Sequence, residues 1–296
     1  MPTGCFQKRL RWTTFWTILV SGIVWIGSVV SGEGTTISVP GNGPSEKHNY
    51  VAELQARHDC LAKDWERREA GGYIVENNVW NKGDRSDYSQ CVFLEPEALG
   101  AVRAGWAWKW NNPTNDVVAY PDIIFGKNPW FETSTTTTLP ARIREAGDVE
   151  ILLDVEHTGT GKRNLAFQVW LTKESAATPK SVTREVMIWL ENNGLRPAGT
   201  KIADLSLDGK ALELWENPHH GDPNGLEWNY FAFVYRTPLL QGRVPLSKML
   251  QYLIETGHVS PDEYLAGINL GNEIINGNGQ TLLKRYRVLC RRNRTK

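Results

Sequence analysis

The sequence predicts an all-β fold built as a two-sheet sandwich, and three observations support this prediction. From residue 51 onward, short runs of β-favouring residues recur between Gly, Pro, Asn and Asp turn signals. Helical periodicity is found in only one segment, so strands and helices do not alternate as they do in parallel α/β folds. The chain has 296 residues, and all-β sandwiches of that size commonly form a single domain.

The first 32 residues are predicted to be a targeting segment that does not belong to the fold. A basic stretch, an apolar stretch over residues 12–30 and two small residues follow one another, which is the order found in secretory signals. The length of the apolar stretch also suits a short membrane span, so an uncleaved anchor is the alternative. Residues 33–50 are predicted to be a flexible tether and residues 51–296 the folded domain. The protein is therefore expected to be secreted or extracytoplasmic.

The predicted strands follow the tether in order. They lie in the runs YIVENNVWN, GWAWKW, AYPDIIFG, VEILLDVEHT, NLAFQVWLT, REVMIWLE and WNYFAFVY. Asp208 and Gly209 join two leucine-rich runs and predict a two-residue hairpin turn. One helix is predicted over residues 245–256, because it carries an apolar stripe of Leu246, Met249, Leu250 and Leu253. This helix is expected to pack on the outside of the sandwich.

The cysteines predict one disulfide. Cys60 and Cys91 bracket a predicted hairpin and are expected to pair in an oxidising compartment. Cys290 is then left over, and its strand-like surroundings predict a buried, unpaired thiol.

Charge and histidine spacing exclude several classes of partner. Lys and Arg total 33, as do Asp and Glu, so the chain lacks the basic surface of a nucleic-acid binder. His219 and His220 have no Cys or His neighbours at ligand spacing, so they predict a solvent-facing loop and no metal site. We expect a monomer that contacts a membrane only through residues 12–30, if these are retained.

Tryptophan is abundant, with 13 residues, and several rings stand beside amide and charged side chains. A pyranose has an apolar face and a hydroxyl edge, so such neighbourhoods suit a sugar-binding groove. The candidates for this groove are Trp80, Trp106, Trp108, Trp110 and Trp130. Packing in the core is the alternative for each ring, and the Asn neighbours of Trp80 favour the groove there.

Two glutamates stand at unusual places in strand-like runs. Strand side chains alternate, so Glu185 shares a face with Met187 and Trp189 in TREVMIWLENNG. Glu273 follows the run LAGINLG, in which Gly271 leaves room for a ligand. Two carboxylates across a groove hydrolyse glycosidic bonds, with retention at a separation of about 5 to 5.5 Å and inversion at a wider one. The sequence does not give this separation, and each glutamate alone is also compatible with a solvated strand end.

Five segments, in the same order, resemble glycoside hydrolase family 12. REVMIWL is similar to the family motif E-L-M-I-W-L, and LGNEIINGNG is similar to its Gly-x-Glu and glycine-rich turn. The other matches are YIVENNVWN, WAWKW with AYPDIIFGKNPW, and WNYFAFV, and together they extend over about residues 60 to 290. The resemblance implies a β-jelly roll of two stacked sheets, a substrate cleft on the concave face, one external α-helix, and no metal or cofactor.

The resemblance also implies roles for single residues. Glu185 would be the nucleophile that forms a glycosyl-enzyme, and Glu273 would be the acid/base. Asn78 and Trp80 match positions that hold sugar on the non-reducing side of the cleavage point, and Met187 lines the floor.

Gln168 departs from the family pattern. Many members carry an aspartate at this place, seventeen residues before the nucleophile. An amide donates a hydrogen bond to Glu185 but cannot share a proton with it, so we expect a different pH optimum.

These observations predict a secreted, retaining endo-β-1,4-glucanase that acts on soluble or amorphous β-glucan. A xyloglucan-specific enzyme of the same family is the near alternative. A carbohydrate-binding jelly roll without catalysis is an alternative of a different class. A membrane-anchored surface protein that binds another protein would instead have a large apolar patch and no open cleft.

Overall fold

The structure, a computed structural model, describes residues 48–222 and 224–291. The predicted signal or anchor and residues 33–47 of the predicted tether lie outside this part of the chain. The first helix, α1 (Tyr50–Arg57), begins one residue before the predicted domain boundary. Asn49 caps it by accepting a hydrogen bond from the Ala52 N–H at 3.0 Å, and Tyr50 is buried.

Fifteen strands follow within the described residues. The first eight are β1 (Arg67–Ala70), β2 (Tyr73–Glu76), β3 (Tyr88–Pro96), β4 (Val102–Trp110), β5 (Asp122–Gly126), β6 (Ala141–Arg142), β7 (Asp148–Gly159) and β8 (Arg163–Thr172). The next five are β9 (Val182–Asn193), β10 (Thr200–Leu207), β11 (Lys210–Gly221), β12 (Glu227–Tyr235) and β13 (Gln241–Val244). The helix α2 (Leu246–Glu255) precedes β14 (Tyr264–Gly271) and β15 (Gly277–Arg291).

The strands form two sheets, which confirms the predicted all-β sandwich. The larger sheet has the order β1-β2-β5-β14-β8-β9-β12-β11-β10, with β6 paired to β14. The smaller sheet has the order β13-β7-β15-β4-β3. All neighbours are antiparallel except β9 and β12, which run parallel. The strands β14, β8 and β9 are adjacent, and this places Glu273 and Glu185 on either side of β8.

The strand β9 shows why its sequence is apolar on both faces. Its residues Val186, Ile188 and Leu190 belong to the core between the sheets. Met187 and Trp189 lie on the opposite face and pack in a separate cluster of buried residues. The same alternation gives β8 its inner residues and leaves its other face to the groove described below.

The tryptophans of β4 correct the prediction of a sugar-binding surface. Trp108 is 0% exposed and Trp110 is 1% exposed, and both lie with Trp106 in the core between the sheets. The Trp110 indole donates a hydrogen bond to Gln90 and stacks on Tyr88. Lys109, the polar residue between Trp108 and Trp110, points to the other face of β4, so its presence in the sequence said nothing about the surroundings of the rings.

The structure contains two helices in its described part, where the sequence predicted one. The predicted helix is confirmed as α2, whose apolar stripe is buried against the core. The additional helix, α1, packs on the outer face of the smaller sheet through Tyr50, Val51 and Leu54. It was missed because it has only eight residues and follows a segment with the composition of a tether. No helix in the described part of the chain is long and apolar enough to cross a membrane.

The turn and cysteine predictions agree with the structure. Asp208 and Gly209 connect the paired strands β10 and β11, and both have positive φ, as a tight hairpin turn requires. Cys60 and Cys91 form a disulfide that ties the segment before β1 to β3. Cys290 is unpaired and partly buried.

Candidate active site

Glu185 is held by hydrogen-bond donors from the strands on both sides of β9. Its side chain is 6% exposed. The Gln168 amide on β8 donates to Oε1 at 2.8 Å, and the Trp228 indole on β12 donates to Oε2 at 3.0 Å. Both groups are N–H donors, so each oxygen of a Glu185 carboxylate has a hydrogen-bond donor, and the carboxylate is the form that a nucleophile needs. Gln168 therefore contacts Glu185, as the sequence predicted.

His220 is the third neighbour of Glu185 and was missed. Its Nε2 lies 3.5 Å from Glu185 Oε2. The sequence predicted a solvent-facing loop here, but His220 belongs to β11 and pairs with Trp228 on β12. The register of this pair of strands shifts between Asn217 and His220, and such an irregularity re-aims side chains in a way that sequence periodicity does not reveal.

Glu273 lies just after β14 and is fastened to Asn164 at the start of β8. The Glu273 backbone N–H donates to Asn164 Oδ1 at 3.0 Å, and the Asn164 N–H donates to the Glu273 carbonyl at 3.1 Å. The Asn164 side-chain amide also donates to Glu273 Oε2. Because that oxygen is occupied as an acceptor, the proton of a neutral Glu273 lies on Oε1. Asn164 was not recognised from the sequence, because a buried Asn at a strand start has no distinctive pattern.

The electrostatic surroundings of the two carboxyl groups differ. Burial and the negative charge of Glu185 raise the pKa of Glu273 to about 7, against the lowering effect of the Asn164 hydrogen bond. Glu273 is thus proton-bearing near neutral pH, while Glu185 has two N–H donors that stabilise its charge. One group is suited to giving a proton and the other to attacking as an anion.

Both carboxyl groups open onto one groove with a volume of about 370 Å³. Its other lining residues include Asn115, Lys162, Trp189, Arg196, His220 and Tyr230. Met187 lies under this surface, where its sulfur accepts hydrogen bonds from the Trp189 indole and the Tyr230 hydroxyl. Met187 is 1% exposed, so it supports the floor of the groove from below.

Three aromatic rings form a cluster beside Glu185. Trp130 packs edge-on against Trp170 at 4.9 Å between ring centroids, and Trp170 packs edge-on against Trp228 at 5.5 Å. Trp130 is 43% exposed, so it is not a core residue, and its contact with sugar stays a prediction. Trp170 and Trp228 were not among the predicted site residues. The sequence could have revealed Trp170, because it lies two residues after Gln168 on the same strand and therefore shares its face.

Asn78 and Trp80 lie after β2, on the other side of β14 from Glu185 in the strand order. Asn78 Oδ1 accepts a hydrogen bond from the Trp80 N–H at 3.0 Å, which fixes the turn between them. Trp80 is 47% exposed and so presents an open ring at this end of the sheet. Neither residue lines the groove immediately around the two carboxyl groups.

Metal coordination has no basis in the described residues. Between residues 48 and 291, apart from residue 223, no three His, Cys, Asp or Glu side chains are grouped so that they could hold an ion.

A β-sandwich with two carboxyl groups in contrasting surroundings, one groove and open aromatic rings has the arrangement of a glycoside hydrolase. The family model described as Glycosyl hydrolase family 12 matches residues 71–288. The chain belongs to this family, and it is a glycoside hydrolase of the cellulase type.

Two relatives are similar to this chain over most of its length. Endoglucanase S of Pectobacterium parmentieri is 28% identical over 221 residues, which are 73% of this chain and 81% of that protein. The Inactive glycoside hydrolase XLP1 of Phytophthora nicotianae is 22% identical over 219 residues, or 72% and 84% of the two chains.

Solved structures support the fold. The native family 12 xyloglucanase from Bacillus licheniformis matches with a TM-score of 0.73 at 24% identity, covering 78% of this chain and 100% of that one. Endoglucanase cel12A from Rhodothermus marinus matches with a TM-score of 0.64 at 28% identity, covering 79% and 99%. The two-sheet sandwich is thus the jelly roll that the sequence resemblance implied.

Proposed function

We propose that the protein is a secreted, retaining endo-β-1,4-glucanase that cleaves internal bonds of β-glucans by double displacement. The observation that carries this proposal is the contrast between the two carboxyl groups on one groove. Glu185 is stabilised as an anion by two N–H donors, while the pKa of Glu273 is raised to about 7 by burial and by Glu185. Hydrolysis of a glycosidic bond by two carboxyl groups needs one group of each kind, and the retaining course is proposed from the family resemblance.

In the first step, an oxygen of Glu185 attacks the anomeric carbon and forms a covalent ester with the sugar. The glycosidic C–O bond breaks, and Glu273 gives its proton from Oε1 to the departing oxygen. The loss of this proton leaves Glu273 as an anion, ready for the second step.

In the second step, a water molecule takes the place of the departed sugar. Glu273 accepts a proton from this water, whose oxygen attacks the anomeric carbon and breaks the ester to Glu185. Two inversions give net retention, and the original protonation states of both residues return.

The substrate preference within the family is part of the proposal. We propose β-1,4-glucan chains without a strict need for branches, in keeping with the name of the endoglucanase relative and of one solved structure. Xyloglucan is the second candidate, in keeping with the name of the family 12 xyloglucanase from Bacillus licheniformis. A third candidate, suggested by the name of the inactive relative, is sugar binding without hydrolysis. The presence of both Glu185 and Glu273 argues against this candidate.

The test is an assay of the purified protein on carboxymethyl-cellulose, mixed-linkage β-glucan and xyloglucan, with Glu185→Gln and Glu273→Gln variants alongside. NMR of the products at early times distinguishes the anomers. We expect β-anomers from the wild type and losses of at least about a thousandfold in the Glu185→Gln variant. Initial α-anomers would contradict retention, and binding without hydrolysis would support the binding module instead. The ranking of the three substrates decides between the two substrate classes.

The compartment is also proposed. The leader-like sequence of residues 1–32 motivates export, and the Cys60–Cys91 disulfide is of the kind found in oxidising compartments. N-terminal sequencing of the protein recovered from its source tests this. A start near residue 33 is expected, and an intact Met1 on a membrane-bound product would favour the anchor.

A further inference from the structure

A continuous chain of hydrogen bonds links the Glu273 carboxyl group to the ion pair of Arg163 and Glu191, whose side chains are 7% and 17% exposed. It crosses from the larger sheet to the smaller sheet and back. Its members, from the ion pair to the carboxyl group, are Arg163, His157, Thr281, Asn272, Asn164 and Glu273.

The links next to Glu273 make its orientation depend on Asn272. Asn164 donates to Glu273 Oε2 and accepts from the Glu273 backbone N–H. The Asn272 amide in turn donates to the Asn164 carbonyl oxygen. A rotation of the Asn272 side chain would therefore release the backbone of Asn164, whose own side chain holds the carboxyl group.

The direction of the next link is fixed by an indole. Asn272 Oδ1 accepts hydrogen bonds from Trp106 Nε1 and from Thr281 Oγ1, each at 2.6 Å. An indole N–H only donates, so the atom it faces must be the amide oxygen. Thr281 consequently donates its one hydroxyl hydrogen to Asn272 Oδ1. These two donors come from β4 and β15 of the smaller sheet.

The protonation of His157 follows from its two partners. Its Nδ1 lies 2.8 Å from Thr281 Oγ1, which has no hydrogen left to give, so Nδ1 is the donor. Its Nε2 accepts from Arg163 Nε at 3.2 Å. The imidazole is thus neutral, with its proton on Nδ1. Its charged neighbours are the Arg163 guanidinium and Glu191, which pairs with Arg163 at 3.6 Å and lies 3.3 Å from His157 Nε2.

We propose that His157 and Thr281 are positioning residues that orient the Glu273 carboxyl group for proton transfer. Neither touches the groove, because Thr281 is fully buried and the His157 side chain is 2% exposed. They act through Asn272 and Asn164, which hold one carboxyl oxygen so that the other faces the leaving group. This role rests on the proposed acid/base function of Glu273.

A pair of substrates isolates this role. Cello-oligosaccharides have a poor leaving group that needs a proton, whereas 2,4-dinitrophenyl cellobioside releases a stable anion without one. The variants are Thr281→Val, which removes the hydroxyl at nearly constant volume, and Thr281→Ser, which keeps it. Thr172→Val is the matched control. Thr172 is also fully buried, but its hydroxyl donates to the Glu174 carbonyl, which is not a member of the series of hydrogen bonds that leads to Glu273.

We expect kcat/KM of Thr281→Val to fall about tenfold or more on cello-oligosaccharides and by less than about twofold on the dinitrophenyl substrate. The fall of kcat/KM at alkaline pH should occur at higher pH in Thr281→Val than in the wild type, because the Asn164 hydrogen bond that lowers the pKa of Glu273 is weakened. Thr281→Ser should recover the wild-type ratio between the two substrates. Equal losses on both substrates, or no loss on either, would overturn the proposal.

Two controls distinguish a failure of this proposal from a failure of the proposed acid/base function of Glu273. If wild type hydrolyses neither substrate, or if Glu273→Gln loses both equally, the proposed function itself has failed. If Thr281→Val does not fold, nitrogen NMR of His157 in the wild type still decides the tautomer. A proton on Nδ1 with no titration between about pH 5 and 8 is expected. A proton on Nε2 or an imidazolium would overturn the assigned hydrogen-bond directions.

Discussion

Among single residues, Glu273 sets the upper pH limit of the proposed reaction. Its pKa is raised to about 7, and only its protonated form can assist the leaving group. We therefore expect kcat/KM on cello-oligosaccharides to fall about tenfold per pH unit well above pH 7. Rates measured between about pH 5 and 9 test this. A flat profile up to pH 9 would contradict the role of Glu273 as the acid.

Trp228 offers a test of the hydrogen bonds that hold Glu185. Trp228→Phe keeps an aromatic ring beside Trp170 but removes the N–H that donates to Glu185 Oε2. A lost hydrogen bond to a charged group is worth about 1.5–3 kcal/mol, so we expect kcat to fall about 10- to 100-fold. Steady-state kinetics measure the effect, with Trp65→Phe, an exposed ring, as the control. An unchanged kcat would contradict a role of the Trp228 N–H in holding the carboxylate.

The residues of the site differ in how far the sequence could reveal them. Alternation along one strand placed Glu185 and Met187 on one face, and the resemblance paired Gln168 with Glu185. Trp108 and Trp110 were assigned wrongly, because alternation shows that rings share a face but not which face is the core. His220 escaped detection because it reaches Glu185 from another strand, across an irregular register that depends on the folded sheet.

Among the elements, α2 is the one whose contribution to stability can be tested most directly. Its buried stripe includes Leu250, which is 2% exposed. Leu250→Ala removes buried methyl groups and leaves a cavity, so we expect the free energy of unfolding to fall by about 2–5 kcal/mol. Urea denaturation measures this. The neighbouring Gln251 is exposed, and Gln251→Ala should change stability by less than about 0.5 kcal/mol. Similar effects of the two substitutions would mean that α2 packs loosely.

Elements with a strong local pattern were predictable, and those defined by tertiary contacts were not. The predicted α2 and the turn at Asp208 and Gly209 agree with the structure because an apolar stripe and a turn dipeptide are local signals. The short helix α1 has only three buried residues, and it depends on the outer face of the smaller sheet for its packing. A helix of that length is marginal alone, so the sequence gives it little signature.

For the whole molecule, the sandwich explains how one groove obtains support from both sheets. Glu185 belongs to the larger sheet and Glu273 follows its strand β14. The residue before Glu273, Asn272, nevertheless accepts hydrogen bonds from Trp106 and Thr281 of the smaller sheet. The sequence indicated the two-sheet class because short β-favouring runs recur between turn signals and do not alternate with helical segments. Which residues meet between the sheets follows from the stacking itself, and that information is not present in any single strand.

The raised pKa of Glu273 also makes the stability of the whole molecule depend on pH. The unfolded chain loses this proton near its ordinary pKa of 4.5, and the folded chain retains it to about pH 7. In this window the folded state binds more protons, so its stability falls as pH rises and the full cost is present above pH 7. Since Glu273 is partly exposed, we expect a cost of about 2 kcal/mol.

Glu273→Gln removes this titration and should therefore flatten the pH dependence. We expect the variant to gain about 2 kcal/mol relative to the wild type between about pH 4 and 8, as measured by urea denaturation across that range. The comparison across pH cancels any constant effect of the amide on packing. Glu69→Gln, at an exposed glutamate of β1, is the control, and its free energy of unfolding should change with pH in parallel with that of the wild type. Parallel curves for Glu273→Gln as well would mean that Glu273 titrates alike in both states, and its role as an acid near neutral pH would lose its physical basis.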